Sequence, residues 1–505
     1  MANQSTSFPL SAQGRRHIIA VRVSFQADSN RYTSGDGTFQ EGSLPYLDSE
    51  DIRIDPLPHN QTYFEHHLEF ARRYFRAVSN QQLELTYQVS DQIYPLPDSM
   101  AAYSPTGESF TNEPLADLVQ DVWTTVQQDG GLSIPRGLDA DQLIFVIFHA
   151  GVGRDIELTG TTLDKTPQDI PSLYLSKQSL SSLLDQPNFS GFSLNTDQGA
   201  IKVNHSLILP RTLSRRGEQL GSPFVLQLST NGLIVASIAN QLGLPDLFNT
   251  ETGDSAIGQF GLMDGAGFFA SNGLFPPEPS AWEKWALGWI NPVDYTPEQN
   301  PTVTLNATST QRPEDVARIS ISQDEYYLVE NRYRDPQEDG VQLTIRSPEG
   351  TDQNANITNV DLTDENDWVE QLPAGVLIEA DHYDWSLPGG LDAGPDGELE
   401  TSDDQILNGG MLIWHIDEAV IRAKQANNAI NTDPQRRGVD LEEADGAQDI
   451  GRTDADQLVG LSATGSAYDF WWSGNTYSVI TETDTLQLYE NSFGPQTTPS
   501  TISNA

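Results

Sequence analysis

The chain has 505 residues and carries 72 acidic against 27 basic side chains, a formal net charge of −45. So acidic a surface repels nucleic acid and anionic lipid, and it offers many carboxylates to divalent cations. With no cysteine in the sequence, thiolate metal sites, cysteine nucleophiles and disulfides are excluded. Two readings of the acidity stand side by side: solubility in concentrated salt, where self-repulsion is screened, and specific use of calcium.

A chain of this length is too long for one ordinary core, which predicts two or three domains. Ile18–Phe25 reads as a largely buried strand. From Thr62 to Val78 the apolar residues Phe64, Leu68, Ala71, Phe75 and Val78 recur at helical spacing, with Thr62 and Glu65 in a capping-box pattern. Leu83, Leu85, Tyr87 and Val89 alternate as in a half-exposed strand, and Leu143–Phe148 is a continuous apolar run suited to a central strand. Residues 160–222 read as mixed, with a helix around Lys177–Leu184 and polar loops elsewhere. Leu233, Ile234, Val235, Ala236, Ile238, Ala239 and Leu242 make the next helix apolar nearly all round, and such a helix is buried. After Pro292 the texture becomes that of a β-rich domain. Short alternating stretches (Thr302–Leu305, Ala317–Ile321, Tyr326–Val329, Gln342–Ile345, Gly375–Ile378) alternate with loops rich in Gly, Asp, Asn and Pro. Met411–His415 reads as a strand and Glu418–Gln425 as a short helix.

Leu242-Gly243-Leu244-Pro245-Asp246-Leu247-Phe248 closely resembles the segment that follows H-E-x-x-H in the immune inhibitor A-type secreted metallopeptidases. Counting back from it, Ala236, Ser237, Ile238, Ala239 and Asn240 stand where that family carries His, Glu, an apolar residue, Gly and His. Zinc chemistry of that kind needs two imidazoles one helical turn apart and a carboxylate between them as general base. Alanine cannot ligate, a serine hydroxyl is a poor base at neutral pH, and an asparagine amide is a weak zinc ligand. Asp246 stands at a downstream position where such sites often place a third ligand, and one carboxylate cannot hold catalytic zinc by itself.

The resemblance extends along most of the chain. Leu57-Pro58-His59 with Tyr74-Phe75-Arg76 looks like the family's opening helix, and Phe148-His149-Ala150-Gly151 like the end of its buried strand. Gly261-Leu262-Met263-Asp264-Gly265 looks like the Met-turn beneath the zinc. Ala281–Trp289, Tyr327–Arg332, Leu412–Glu418 and Gly438–Gly446 continue the likeness. It implies an α+β protein: a zincin-like, degenerate peptidase domain over residues 1–298, followed by a β-rich domain over 299–505. It also implies that the former zinc-site neighbourhood includes Asp246 and Met263.

A replacement zinc site has little to draw on. The histidines are His17, His59, His66, His67, His149, His205, His382 and His415, and no pair has the i, i+4 spacing that puts two imidazoles on one helical face. Calcium is better supplied. Asp392, Asp396, Glu398, Glu400, Asp403 and Asp404 crowd a glycine-containing loop resembling the GPDG…T-x-DD calcium loops of bacterial extracellular proteins. Calcium takes six to eight oxygens from carboxylates and carbonyls, with glycine permitting the tight turn. A solvated acidic loop is the competing reading. Asp361, Asp364, Asp440, Glu442, Glu443 and Asp445 are further candidates.

No apolar run reaches the roughly 18 residues needed to span a bilayer, so membrane insertion is not expected. The start, MANQSTSFPL, lacks the basic and apolar regions of a signal peptide. The resemblance favours a mature extracellular or cell-surface protein whose natural chain continues past Ala505. Three functions follow. The first is a catalytically inactive homologue of a secreted zinc peptidase, acting as a calcium-binding interaction module toward a protein or peptide partner. The second is a hydrolase working through a non-standard centre involving Asp246, His149 or His415. The third is a structural surface subunit that self-assembles through calcium.

Overall fold

The computed structural model describes residues 8–44, 52–106, 111–156, 166–219, 222–296, 302–307, 316–357, 368–392, 405–452, 462–475, 478–480, 485–487 and 489–502. The fold is mixed α/β, with several separate sheets and few helices. In chain order the first part runs β1 (Gly14–Ser24), α1 (Gln61–Val78), β2 (Leu83–Pro95), α2 (Met100–Tyr103), α3 (Glu113–Gln128), β3 (Leu143–Val152), β4 (Leu173–Leu175) and α4 (Lys177–Leu183). Then come the hairpin β5 (Phe192–Thr196)–β6 (Gly199–Val203), β7 (Ser206–Thr212), and the hairpin β8 (Arg215–Gln219)–β9 (Ser222–Leu226). Three helices close this part: α5 (Asn231–Leu242), α6 (Gly265–Phe268) and α7 (Ala281–Ala286).

Five of these strands form one sheet in the order β2-β1-β3-β7-β4. The first four are mutually parallel, and the edge strand β4 runs antiparallel to β7. Strand β3 is central and every one of its ten residues is buried, as expected of a Leu/Ile/Phe/Val run covered on both faces. Burying each such side chain contributes about 1.5–3 kcal/mol. Helix α1 covers the sheet with its apolar stripe. Its N-cap is Asn60, whose side chain accepts from the Tyr63 N–H, so the helix begins one residue before the expected Thr62–Glu65 box. Thr62 is already inside the first turn.

The remaining elements are β10 (Val293–Tyr295), β11 (Ala317–Ser320), β12 (Glu325–Tyr333), β13 (Val341–Arg346), β14 (Asp352–Ile357), β15 (Val376–Ala380), β16 (Gly390–Asp392), β17 (Gln405–Leu407), β18 (Gly409–Asp417), α8 (Glu418–Lys424), β19 (Val439–Leu441), β20 (Ser478–Ile480) and β21 (Thr485–Gln487). They form a five-stranded sheet, β10-β11-β12-β18-β19, a three-stranded sheet, β14-β13-β15, and two hairpins. Strand β10 precedes residue 298 yet pairs with β11 of the second part.

Two expectations need correction. Thr302–Leu305 forms no strand; among the described residues the pairing near it is a bridge from Ala307 to Asn331. Residues 166–219 are not mainly loop, since they supply β4–β8. Strand β7 is buried throughout, and Pro210 and Arg211 hide it from a search for apolar runs. Arg211 is tolerated inside because its Nε donates to His59 Nδ1 at 3.2 Å and its guanidinium also donates to the Ser43 carbonyl.

A single apolar core joins the two parts, running from Ala12 through the sheets to Phe470. Polar contacts cross the junction as well. His67 on α1 bonds Asn231 Oδ1 at 2.7 Å, while Asn231 Nδ2 donates to the Leu377 carbonyl of β15 at 3.0 Å. Arg332 of β12 is fully buried; it donates to Asp384, to the Phe260 carbonyl (2.7 Å) and to the Glu278 carbonyl (3.0 Å).

Candidate functional site

Helix α5 ends where Gly243 takes a left-handed conformation (φ 114°) that side chains rarely adopt, and its N–H closes on the Ala239 and Asn240 carbonyls. From Asn231 to Ala239 every residue is buried, Ala236 at 4 % and Ser237 at 7 % exposure. The face carrying Ala236 and Ser237 is therefore core. Gly232 packs so closely on α6 that a Cβ there would lie 1.8 Å from the Phe268 carbonyl oxygen.

Asn240 does not turn to Ser237. Its Nδ2 donates to the Leu244 carbonyl at 3.1 Å and to Asp246 Oδ1 at 3.0 Å. The other Asp246 oxygen takes Asn428 Nδ2 at 2.6 Å, and the Asp246 N–H returns a bond to Asn428 Oδ1 at 2.8 Å. Asn428 lies beyond α8, in a left-handed conformation (φ 53°). Its neighbours continue the seam: Thr250 donates to the Asn428 carbonyl at 2.7 Å, Asn431 to Leu247 at 2.8 Å, and Asn249 to Thr432 at 3.3 Å. Burial pushes the Asp246 carboxyl above its ordinary range, and the two amides pull the other way. Asn240, Asp246 and Asn428 thus bond one another.

Met263 is fully buried next to this cluster, its carbonyl accepting the Leu247 N–H at 2.8 Å. Glu283 of α7 holds the turn from below, accepting the Leu262 N–H at 3.1 Å and the Met263 N–H at 2.7 Å. Asp264 caps α6 and accepts the Ala256 and Ile257 N–H groups. The turn over 261–265 accordingly lies beside the end of α5.

The histidines do not assemble a replacement centre among the described residues. His149 is fully buried at the end of β3, with Nδ1 on the Ala150 carbonyl at 2.7 Å; burial pushes its pKa down to about 4. His67 and His205 are likewise pushed down to about 4 by burial. His415 sits between Glu325 (3.1 Å) and Glu442 (3.3 Å); burial lowers its pKa, but these carboxylates outweigh that and hold it above its ordinary value. Asp246, His149 and His415 share no hydrogen bond with one another among the described residues.

Carboxylates do converge elsewhere. Glu443 and Asp445 follow β19, and Asp469 ends a turn whose first residue, Ser466, forms a reciprocal cap with it. One ligand-capable oxygen from each of the three lies within 4.8 Å of the others, and all three residues are buried. Backbone amides orient them. Glu443 accepts Asp449 N–H (2.6 Å) and Ile450 N–H (3.3 Å), Asp445 accepts Ala447 N–H (2.8 Å), and Asp469 Oδ2 accepts Ser466 N–H (2.6 Å). Asp469 Oδ1 is buried and accepts no hydrogen bond from a donor among the described residues. Burial, and then mutual repulsion, push the Glu443 and Asp469 carboxyls well above the usual range; Asp445 rises to about 6, chiefly through burial.

Glu443 and Asp445 stand among the acidic residues the sequence singles out. Asp469 does not; its only sequence signal is a Ser466-to-Asp469 capping pattern, which speaks of a turn and not of a ligand. Of the other candidates, Glu442 is engaged by His415, and Asp440 by Arg437 at 2.8 Å. Asp392 is the last residue of β16, while Asp396, Glu398, Glu400, Asp403 and Asp404 lie outside the described residues, as do Asp361 and Asp364. Among the described residues no helix is long and apolar enough to cross a membrane. No protein-family model matches this chain, and no curated protein matches it.

Proposed function

We propose that this protein is a zincin-like relative of the immune inhibitor A-type peptidases that has lost peptidase chemistry and works outside the cell as a calcium-dependent binding or structural module. The observation that carries this reading is the state of the former catalytic helix. Ala236 and Ser237 are packed in the core, and Asn240 is spent on Asp246, whose second oxygen is taken by Asn428. The two imidazoles and the general base that zinc hydrolysis requires are replaced together. Supporting the fold assignment are the four parallel strands with an antiparallel edge strand, and the Met263 turn bonded beside α5. The acidic surface and the carboxylate-rich loops support calcium as the structural ion. A hydrolase working through Asp246, His149 or His415 is disfavoured, because these groups are engaged separately.

The test is metal content. The full chain, incubated with excess zinc and desalted, is expected to retain no stoichiometric zinc. The variant Ala236→His/Ser237→Glu/Asn240→His restores the ligand pattern and should retain more. One zinc per chain in the unsubstituted protein contradicts the reading.

A further inference from the structure

We propose that Glu443, Asp445 and Asp469 form a structural calcium site that fastens the second part of the chain to the turn beneath the former cleft. The inference names the site for the calcium use proposed above and is independent of the lost peptidase chemistry. An active peptidase would leave it standing, and a triad without calcium would leave the closed cleft standing.

Three carboxylates whose oxygens lie within 4.8 Å of one another inside a protein need a counter-charge or shared protons. Among the described residues no basic side chain forms an ion pair within 4.0 Å with any of the three; the guanidinium of Arg437, which feels the charge of Glu443, is paired with Asp440 at 2.8 Å. Backbone N–H groups at 2.6–2.8 Å hold each as an acceptor, which favours the ionised form. Asp469 Oδ1 is the second, separate sign. This oxygen belongs to a residue with no exposed surface, accepts no hydrogen bond from a donor among the described residues, and sits on a carboxylate turned toward two others. Leaving such an atom unsatisfied is costly, and a cation removes that cost.

The donor set selects the ion. Only oxygens are present, with neither imidazole nor thiolate, which favours a hard cation over zinc. Asp449, buried at 3 % exposure beside Glu443, can add a fourth carboxylate. Its Oδ2 accepts the Ser462 N–H at 2.8 Å. Calcium accepts the irregular shell that such turns provide, whereas magnesium demands near-ideal octahedral geometry.

Position gives the site its consequence. The segments carrying the triad rest on residues leading into the Met263 turn. Gln259 N–H donates to the Thr464 carbonyl at 3.0 Å, and Phe260 meets Phe470 edge-on at 5.2 Å. Gly451 lies so close to the Ser255 carbonyl that a Cβ would stand 2.2 Å from it. An ion at the triad joins the turn after β19 to the turn at 466–469, and both to this floor.

The experiment uses the full chain and calcium itself. Thermal unfolding is followed with calcium, with magnesium, and with sodium chloride at matched ionic strength, for the unsubstituted protein, Asp469→Asn, and Asp396→Asn/Asp403→Asn. Expected is a calcium-specific rise of several degrees that survives in the double variant and is lost in Asp469→Asn, with affinity falling roughly ten-fold or more. A full response in Asp469→Asn, a response lost only in the double variant, or no response beyond ionic strength each overturns the proposal. The last outcome indicates shared protons. Should Asp469→Asn fail to fold, terbium emission sensitised by tryptophan decides. Trp471 donates to the Glu442 carbonyl at 3.1 Å, so Trp471→Phe should remove most of the calcium-displaceable emission, and undiminished emission places the ion elsewhere.

Discussion

Single side chains in this molecule are governed by burial. His149 is neutral in the folded protein down to about pH 4, against an ordinary value of 6.5. Between those values the unfolded chain binds a proton at this position and the folded chain does not. Its contribution to stability is therefore complete above the ordinary value and is lost as pH falls toward 4. His149→Gln should make the decline of the unfolding midpoint shallower across that window in urea titrations; an unchanged slope contradicts the assignment. Arg332 tests the opposite case, a buried charge held by partners. Arg332→Met removes the cation that faces Asp384 and Glu330, both fully buried, and is expected to cost about 3–5 kcal/mol in equilibrium unfolding. Adding Asp384→Leu should recover much of that loss, because an apolar pair needs no counter-charge.

Among the elements, those with an unbroken period are legible from sequence and those with a polar interruption are not. Helix α1, strand β3 and helix α5 all show their apolar pattern directly, and each lies where that pattern puts it. Strand β7 is equally buried but is masked by Pro210 and Arg211, whose acceptability depends on His59 and Ser43 far away in sequence. The sites divide in the same way. Ala236, Ser237 and Asn240 announce a missing motif, but nothing in their spacing tells that Asn428, 182 residues beyond Asp246, would close over it. Asp469 is hidden for the same reason: a contact distant in sequence leaves no periodic trace. Helix α5 offers its own test. Gly232→Ala would place a methyl group on the Phe268 carbonyl, which neither backbone can yield without separating α5 from α6. A loss of about 1–3 kcal/mol or more is expected in chemical unfolding, and a neutral result would show that the two helices are not so tightly apposed.

At the scale of the whole molecule, one apolar core spans both parts of the chain, and the second part supplies groups that complete the first. Asn428 bonds Asp246, Leu377 receives Asn231, and Arg332 binds the carbonyl just before Gly261. On the proposed reading, loss of the zinc ligands would be one part of a wider change, with α5 filling the cleft from within and the segment after α8 covering it from outside. We propose that the molecule is a peptidase scaffold turned to another use. The most direct test of that claim is digestion of casein by the purified full chain in the presence of zinc and calcium. The account predicts no cleavage above that of a mock preparation, with or without chelator. Cleavage that a zinc chelator abolishes and added zinc restores would contradict it.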